Sequence, residues 1–214
     1  TMYMAKWDNL LLFKKNSAED YLKTAQNVAA WLKKYEVKKP VGKSWEIRSG
    51  AGSDEGDDLA SKMTDRSIYS GAAGIGFFYI QLYEATDDKQ YLDEAVEAAE
   101  YLLGTFQKEL GVKPGIHGGI TGEGFFAETL YQKTGEQKYR DYAIQVGDVA
   151  YETAVKEDGK IHWDNLVDYM GDGSTAVYWL QLAEITGDQQ YVTYAKELID
   201  YILTFKKDQP DGTS

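Results

Sequence analysis

The sequence predicts an all-α protein, an array of helical hairpins of the α/α-toroid kind, on three observations. A segment recurs along the chain at a nearly fixed spacing. Each copy opens on a cluster of glycines, and each divides into an apolar helix followed by an amphipathic one. Setting Gly71 to Tyr91 (GAAGIGFFYIQLYEATDDKQY) over Gly119 to Tyr139 (GITGEGFFAETLYQKTGEQKY) needs no gap. Gly71, Gly74, Gly76, Phe77, Phe78, Leu82, Tyr83, Thr86 and Tyr91 then meet identical residues. A third copy, Gly171 to Tyr191, keeps the first glycine, Leu182, Thr186 and Tyr191, and the copies lie 48 and 52 residues apart. Repetition on this scale is the mark of stacked supersecondary units that bury one another.

Taken in order, the elements start with a short, weakly patterned helix over Met4 to Phe13 and a better one from Ala18 to Tyr35. In the latter, Tyr21, Leu22, Ala25, Ala29 and Leu32 follow helical spacing, and Ser17 with Asp20 three residues on reads as an N-terminal capping pair. The first helix of each repeat is expected to begin just after its glycine cluster. In copy one it carries Ile75, Phe77, Phe78, Ile80, Leu82 and Tyr83 on nearly every side, so it must be covered on every side. It stops at turns of the Thr134-Gly135-Glu136 and Thr186-Gly187-Asp188 type, where glycine takes a left-handed cap and the acid caps the next helix. The second helix is amphipathic, with Tyr91, Leu92, Ala95, Ala99, Leu102, Leu103 and Phe106 on one side and Asp93, Glu94, Glu97 and Glu100 on the other. Copy three repeats the pattern with Tyr191, Val192, Ala195, Leu198, Ile199 and Ile202.

The hairpins therefore fall at about 1–36, 69–106, 119–154 and 171–206, within a single repeat domain over 1–214. Inner helices running the same way curve such an array towards a ring, and this number of hairpins makes an open or incomplete one. The chain is expected to be part of a longer toroid, with a missing C-terminal part or a second chain covering its open flanks.

Composition narrows the function. The net charge of −12 argues against a nucleic-acid partner, which needs clustered Lys and Arg. No apolar run reaches the ~20 residues of a membrane span, and no signal peptide is visible, so the expectation is a cytoplasmic protein without a membrane partner. Cysteine is absent, which removes disulfides, thiolate nucleophiles and cysteine-bound zinc from these residues.

Chemistry is expected in the connectors that enter the inner helices, gathered at the mouth of the array. The connector from Val37 to Ser70 is long, and its acidic middle, Gly50 to Asp58, does not fit a calcium loop. His117 stands in the Gly111–Gly122 connector and His162 in the Gly159–Gly173 connector, and no other histidine exists in the chain. They are candidate catalytic residues, against the simpler reading of local hydrogen bonding. Asp164 and Asp172 are candidates for acid–base work on a sugar bond, with Asp168 between them; Glu123, which enters the second inner helix, and Asp65, which precedes the first, are candidate substrate contacts. The competing reading of these acids is helix capping and dipole compensation. Trp45 and Trp163 follow Gly-Lys in like places and, with Tyr69, are candidate platforms for a sugar ring or a peptide, or else plain packing. The glycine clusters lack the Lys-Ser/Thr of a phosphate loop and follow no strand.

The run Tyr69-Ser70-Gly71-Ala72-Ala73-Gly74-Ile75-Gly76-Phe77-Phe78, with Leu82 to Thr86 and Tyr91-Leu92, resembles the repeats of lanthionine synthetase C-like proteins. So does Asp168-Tyr169-Met170-Gly171-Asp172-Gly173 with Trp179 to Asp188, and the resemblance runs over roughly Ser67 to Lys206. It implies an α/α toroid. Catalytic members of the family are zinc enzymes that add peptide cysteine thiols to dehydrated Ser or Thr, the metal being held by two Cys and a His in later repeats. Gly115-Ile116-His117-Gly118-Gly119 looks like the family's His-Gly connector, with an extra glycine, and the two cysteines have no counterpart. The resemblance thus implies no cofactor in this chain, and zinc only where a cysteine-containing C-terminal part exists. Three functions follow: a peptide-modifying scaffold of this family, a carbohydrate-active α/α toroid using mouth carboxylates, and a non-catalytic repeat scaffold that binds a partner. The first two place a peptide or a carbohydrate at the mouth.

Overall fold

The structure, a computed structural model, describes residues 17–45, 66–164, 167–168 and 170–207. The expected helix over Met4 to Phe13, the acidic stretch from Gly50 to Asp58 and Asp65 lie outside the described residues. The chain divides into two compact units, 1–34 and 35–214. In the first, α1 (Ala18–Leu32) opens on the expected capping box: the Ser17 hydroxyl accepts from the Asp20 N–H at 3.1 Å and the Asp20 carboxylate accepts from the Ser17 N–H at 2.8 Å. Two donors left over at the helix start are thereby satisfied.

The second unit is the α/α-toroid-type array. Its inner helices are α2 (Ala72–Thr86), α4 (Thr121–Thr134) and α6 (Asp172–Thr186). Each is followed by an outer helix: α3 (Lys89–Gly104), α5 (Gln137–Thr153) and α7 (Gln190–Ile202). Every inner helix packs on its own outer helix, α2 packs on α4 and α4 on α6, and α3 and α5 each also touch the inner helix of the following repeat. The core lies in these seams. Tyr79, Ile80, Leu102, Phe126, Leu130, Tyr139, Tyr178, Trp179, Tyr191 and Leu198 are buried there, and large apolar side chains of this kind each stabilise a fold by about 1.5–3 kcal/mol.

The turns between paired helices behave as the sequence indicates. Gly135 and Gly187 take the left-handed conformation at φ 70° and 74°, and Asp87 does so at 55° without the help of glycine. Asp88 and Asp188 each accept from the N–H two residues on, at 3.0 and 2.9 Å. Glu136 makes no such cap, while at all three turns the Thr hydroxyl (Thr86, Thr134, Thr186) accepts from the N–H two residues on.

One expectation needs correction. The inner helices begin inside the glycine clusters: Gly74 and Gly76 lie within α2, Gly122 and Gly124 within α4. The reason is close approach between repeats. A methyl group at Gly76 would overlap the ring of Phe126, and one at Gly124 would overlap the hydroxyl of Tyr178, the residue at the Phe126 place one repeat on. Glycine accepts its weaker helix propensity in exchange for that contact. The connectors also hold short strands that the sequence reading did not predict. Antiparallel hairpins form from β1 (Glu36–Lys38) with β2 (Lys43–Trp45) and from β3 (Val155–Glu157) with β4 (Lys160–His162). The second turns through Asp158 and Gly159, both left-handed, as an Asp-Gly hairpin turn requires.

Candidate functional site

Three connectors of the second unit meet at the N-terminal ends of the inner helices. The Tyr69 N–H donates to the His117 carbonyl at 2.9 Å, which ties the Ser67–Ser70 turn to the Gly115–Gly119 loop. The Ile116 N–H donates to the Ser174 hydroxyl at 2.9 Å, tying that loop to α6. Gly115, at φ 111°, lies against Gly171, and a side chain there would be both strained and crowded. Between the three connectors opens a cleft of about 550 Å³, walled by Ser67, Ser70, Pro114 and Asp168 and rimmed by Tyr69, His117 and Met170. Tyr69 is 84% exposed and Met170 65%, so the rim offers an aromatic and a thioether side chain to whatever enters. Beside it, sharing Lys113, Pro114, Asp168 and Gly171, a second cleft of about 750 Å³ is lined by Trp163, Asp164 and Asp172.

Two acids of the second cleft, Asp168 and Asp172, form one local structure. Asp172 is the first residue of α6, and its N–H donates to the Asp168 carbonyl at 2.6 Å. Its carboxylate accepts from the Asp168 N–H at 3.0 Å, while the Asp168 carboxylate accepts from the Met170 N–H at 2.9 Å. This tight turn, not one continuous helix, brings Asp168 and Asp172 together. Burial is the main cause that pushes the Asp172 carboxyl above its usual range; Asp164 and Asp168 push the same way, against the Asp168 N–H and His162. Among the described residues neither Asp168 nor Asp172 forms an ion pair with Lys or Arg.

Other expected site residues sit elsewhere. Glu123 is fully buried in α4 and its carboxylate is saturated: Arg66 Nε donates to Oε1 at 2.8 Å, and Arg66 Nη2 and the Tyr142 hydroxyl donate to Oε2, each at 2.6 Å. Arg66 Nη2 also donates to the Leu102 carbonyl at 2.8 Å, and Nη1 to the Thr105 hydroxyl. Burial penalises the Arg66 charge, yet the Glu123 carboxylate outweighs that penalty and raises its pKa. Burial likewise drives the Tyr142 hydroxyl well up, with Glu123 adding to it. Glu123, expected as a substrate contact, is therefore a clasp that holds the turn before α2 to α3, α4 and α5. No repeat comparison could reveal it, because Arg66 lies outside the repeated segment.

Trp45 is enclosed as well, at 4% exposure, with its ring 6.2 Å from Tyr79, so it has no face to offer a ligand. Trp163 holds the equivalent place 6.1 Å from Trp179, is half-buried, and lines the second cleft. The two histidines divide in the same way. His162 is buried, stacks on Tyr201 at 4.3 Å and donates from Nδ1 to the Asp164 carbonyl at 2.6 Å, which makes it a packing residue of the acid turn. His117 is exposed on the rim of the first cleft. Asp65 lies outside the described residues.

The residues present do not fit a zinc–thiolate centre. Cysteine is absent, and among the described residues no three His, Asp or Glu side chains are grouped to hold a metal ion. No helix among the described residues is long and apolar enough to cross a membrane.

Stacked hairpins with a connector-built mouth define a protein of the α/α-toroid class. The sequence model of the lanthionine synthetase C-like protein family matches residues 62–211, and the chain belongs to that family. No curated protein matches it in sequence. Its fold is shared with the GH76A α-1,6-mannanase of Salegentibacter sp. HEL1_6, at a TM-score of 0.59 and 17% identity, over 90% of this chain and 53% of that one. An inactive double aspartate-to-asparagine variant of that enzyme, in complex with α-1,6-mannotriose, matches at a TM-score of 0.59 and 16% identity over the same shares. The chain thus spans about half the length of these solved structures.

Proposed function

We propose that this lanthionine synthetase C-like chain supplies the substrate-binding mouth of a peptide-modifying toroid, holding an extended peptide without a metal centre of its own. The observation that carries the reading is the meeting of three successive connectors at one cleft, with Tyr69, His117 and Met170 exposed on its rim. Tyrosine and methionine suit peptide side chains of varied shape, and the glycine-rich Gly115–Gly119 loop leaves backbone within reach of a peptide backbone. Selection of a peptide library on the immobilised chain tests this. Enriched peptides should bind the parent and lose at least tenfold in affinity to the double variant Tyr69→Ala with Met170→Ala, whose fold should be intact. Equal binding to parent and variant would sink the reading.

A second reading is favoured by the acid turn. A carboxyl pushed up by burial and by neighbouring carboxylates is suited to hand a proton to a departing glycosidic oxygen, while an ionised neighbour attacks or activates water. Here Asp172 would be the acid, and Asp168 or Asp164 its partner, with Trp163 as a wall for the ring. Incubation with α-1,6-linked manno-oligosaccharides separates the two readings. Release of sugar that disappears in Asp172→Asn supports this one; no turnover together with peptide capture supports the first.

A further inference from the structure

Oxidisable sulfur is scarce in this chain, and one atom of it stands at the mouth. There is no cysteine, and of Met2, Met4, Met63 and Met170 only the last lies among the described residues. Met170 is 65% exposed on the rim of the first cleft, which it shares with Tyr69. Its backbone is fixed while its side chain is not enclosed. The Met170 N–H donates to the Asp168 carboxylate at 2.9 Å, and the next residue, Gly171, lies against Gly115.

A methionine in a core fills irregular gaps, and Met170, on the surface, fills none. A thioether has no proton to lose before it reacts, so exposure governs which methionine a peroxide reaches. The sulfur lone pair takes one peroxide oxygen as the O–O bond breaks. That oxygen's proton passes to the departing hydroxide, and water leaves. Sulfur loses two electrons and the peroxide gains them. The product is a polar, chiral sulfoxide in place of an apolar thioether. The rim then offers an acceptor oxygen where it offered an apolar group, in a cleft whose wall already carries the Asp168 carboxylate.

We propose that Met170 is a reversible oxidation site that regulates the mouth: a peroxide converts it to the sulfoxide, which weakens capture of peptide, and reduction restores it. The inference rests on the reading of this cleft as a peptide site and adds the class of signal that controls it. The other exposed rim groups, the phenol of Tyr69 and the imidazole of His117, react with peroxide far more slowly than a thioether. The change is thus confined to one side chain of the rim. Because that side chain is exposed, the modification alters the surface of the cleft and leaves the stability of the fold as it was.

The test treats the intact chain with hydrogen peroxide and follows peptide mapping by mass spectrometry, thermal melting, and affinity for a peptide selected on the untreated chain. Oxygen should appear on Met170, the melting point should hold, and affinity should fall about three- to tenfold, the scale of one lost thioether contact. Methionine sulfoxide reductase with a dithiol, which becomes a disulfide as the oxygen leaves in water, should restore the affinity. Met170→Leu, whatever its starting affinity, should show no response to peroxide, which separates this sulfur from those of Met2, Met4 and Met63. Full oxidation of Met170 with unchanged affinity, or a peroxide effect that persists in Met170→Leu, would overturn the proposal. So would a fall in melting point large enough to explain the lost binding. An untreated chain that captures no peptide overturns the peptide reading and this proposal with it, whereas capture that ignores oxidation overturns this proposal alone.

Discussion

Two groups of carboxylates lie within the same array and are treated in opposite ways. Glu123 is enclosed in the seam between the first and second repeats, where Arg66 and Tyr142 satisfy both of its oxygens. Asp172 lies at the mouth beside Asp164 and Asp168, receives a single N–H from within its own turn, and has no cationic ion-pair partner among the described residues. The first arrangement neutralises its charge and holds three helices; the second keeps charges of one sign together at the edge of a cleft. A carboxylate that serves the fold is compensated, and one left uncompensated costs stability for some other use.

The largest expected effect comes from breaking the compensated group. Arg66→Met leaves the Glu123 carboxylate buried without a cation and should cost about 3–5 kcal/mol, lowering the melting point by roughly 10 °C on the usual scale for a domain of this size. Adding Glu123→Leu to it should recover most of that loss, since an apolar pair replaces a buried ion pair at little cost. Thermal melting of the single and double variants checks both statements. Failure of the second substitution to rescue would show that the hydrogen bonds to Leu102 and Thr105 matter more than the charge.

Next in size is the seam itself. Gly124→Ala should cost about 1–3 kcal/mol by pushing α4 away from Tyr178. Tyr178→Phe removes the hydroxyl that the new methyl would meet, together with its 2.7 Å bond to the Ala143 carbonyl. Denaturant melts of a double-mutant cycle should therefore give a coupling energy clearly different from zero.

How much of this was legible without coordinates divides along the same line. The hairpins, the Ser17–Asp20 capping box and the left-handed turns at Gly135 and Gly187 are local, so spacing and residue type reveal them. The Asp-Gly turn at Asp158-Gly159 carried its own signal of a β-hairpin, hidden by the shortness of the strands, three residues each. The Arg66–Glu123 clasp was invisible because its partners are 57 residues apart and only the stacking of repeats brings them together. The acids at 164, 168 and 172 were visible as a cluster. The bend that joins Asp168 to Asp172 was not, since it depends on Gly171 and on the start of α6.

The smallest expected effect on stability is at the rim. Tyr69→Ala should leave the melting point unchanged, because the side chain is exposed, while weakening capture of the substrate. A fall in melting point comparable with that of Gly124→Ala would mean that Tyr69 is part of the packing and not of the site.

The contrast between the two carboxylate groups is tested most directly at Asp172. A carboxyl whose folded pKa is raised binds its proton more tightly in the folded chain than in the unfolded one, so it withdraws stability as pH rises through the folded value. Asp172→Asn removes that cost and can still accept from the Asp168 N–H. Melting and ligand binding should be followed together for parent and variant from acid to neutral pH. The variant should be more stable than the parent near neutrality, converge with it as pH falls below the ordinary carboxyl range, and bind or turn over substrate less well. A variant less stable than the parent at neutral pH, with binding and turnover unchanged, would make Asp172 a structural cap of α6 and contradict the account.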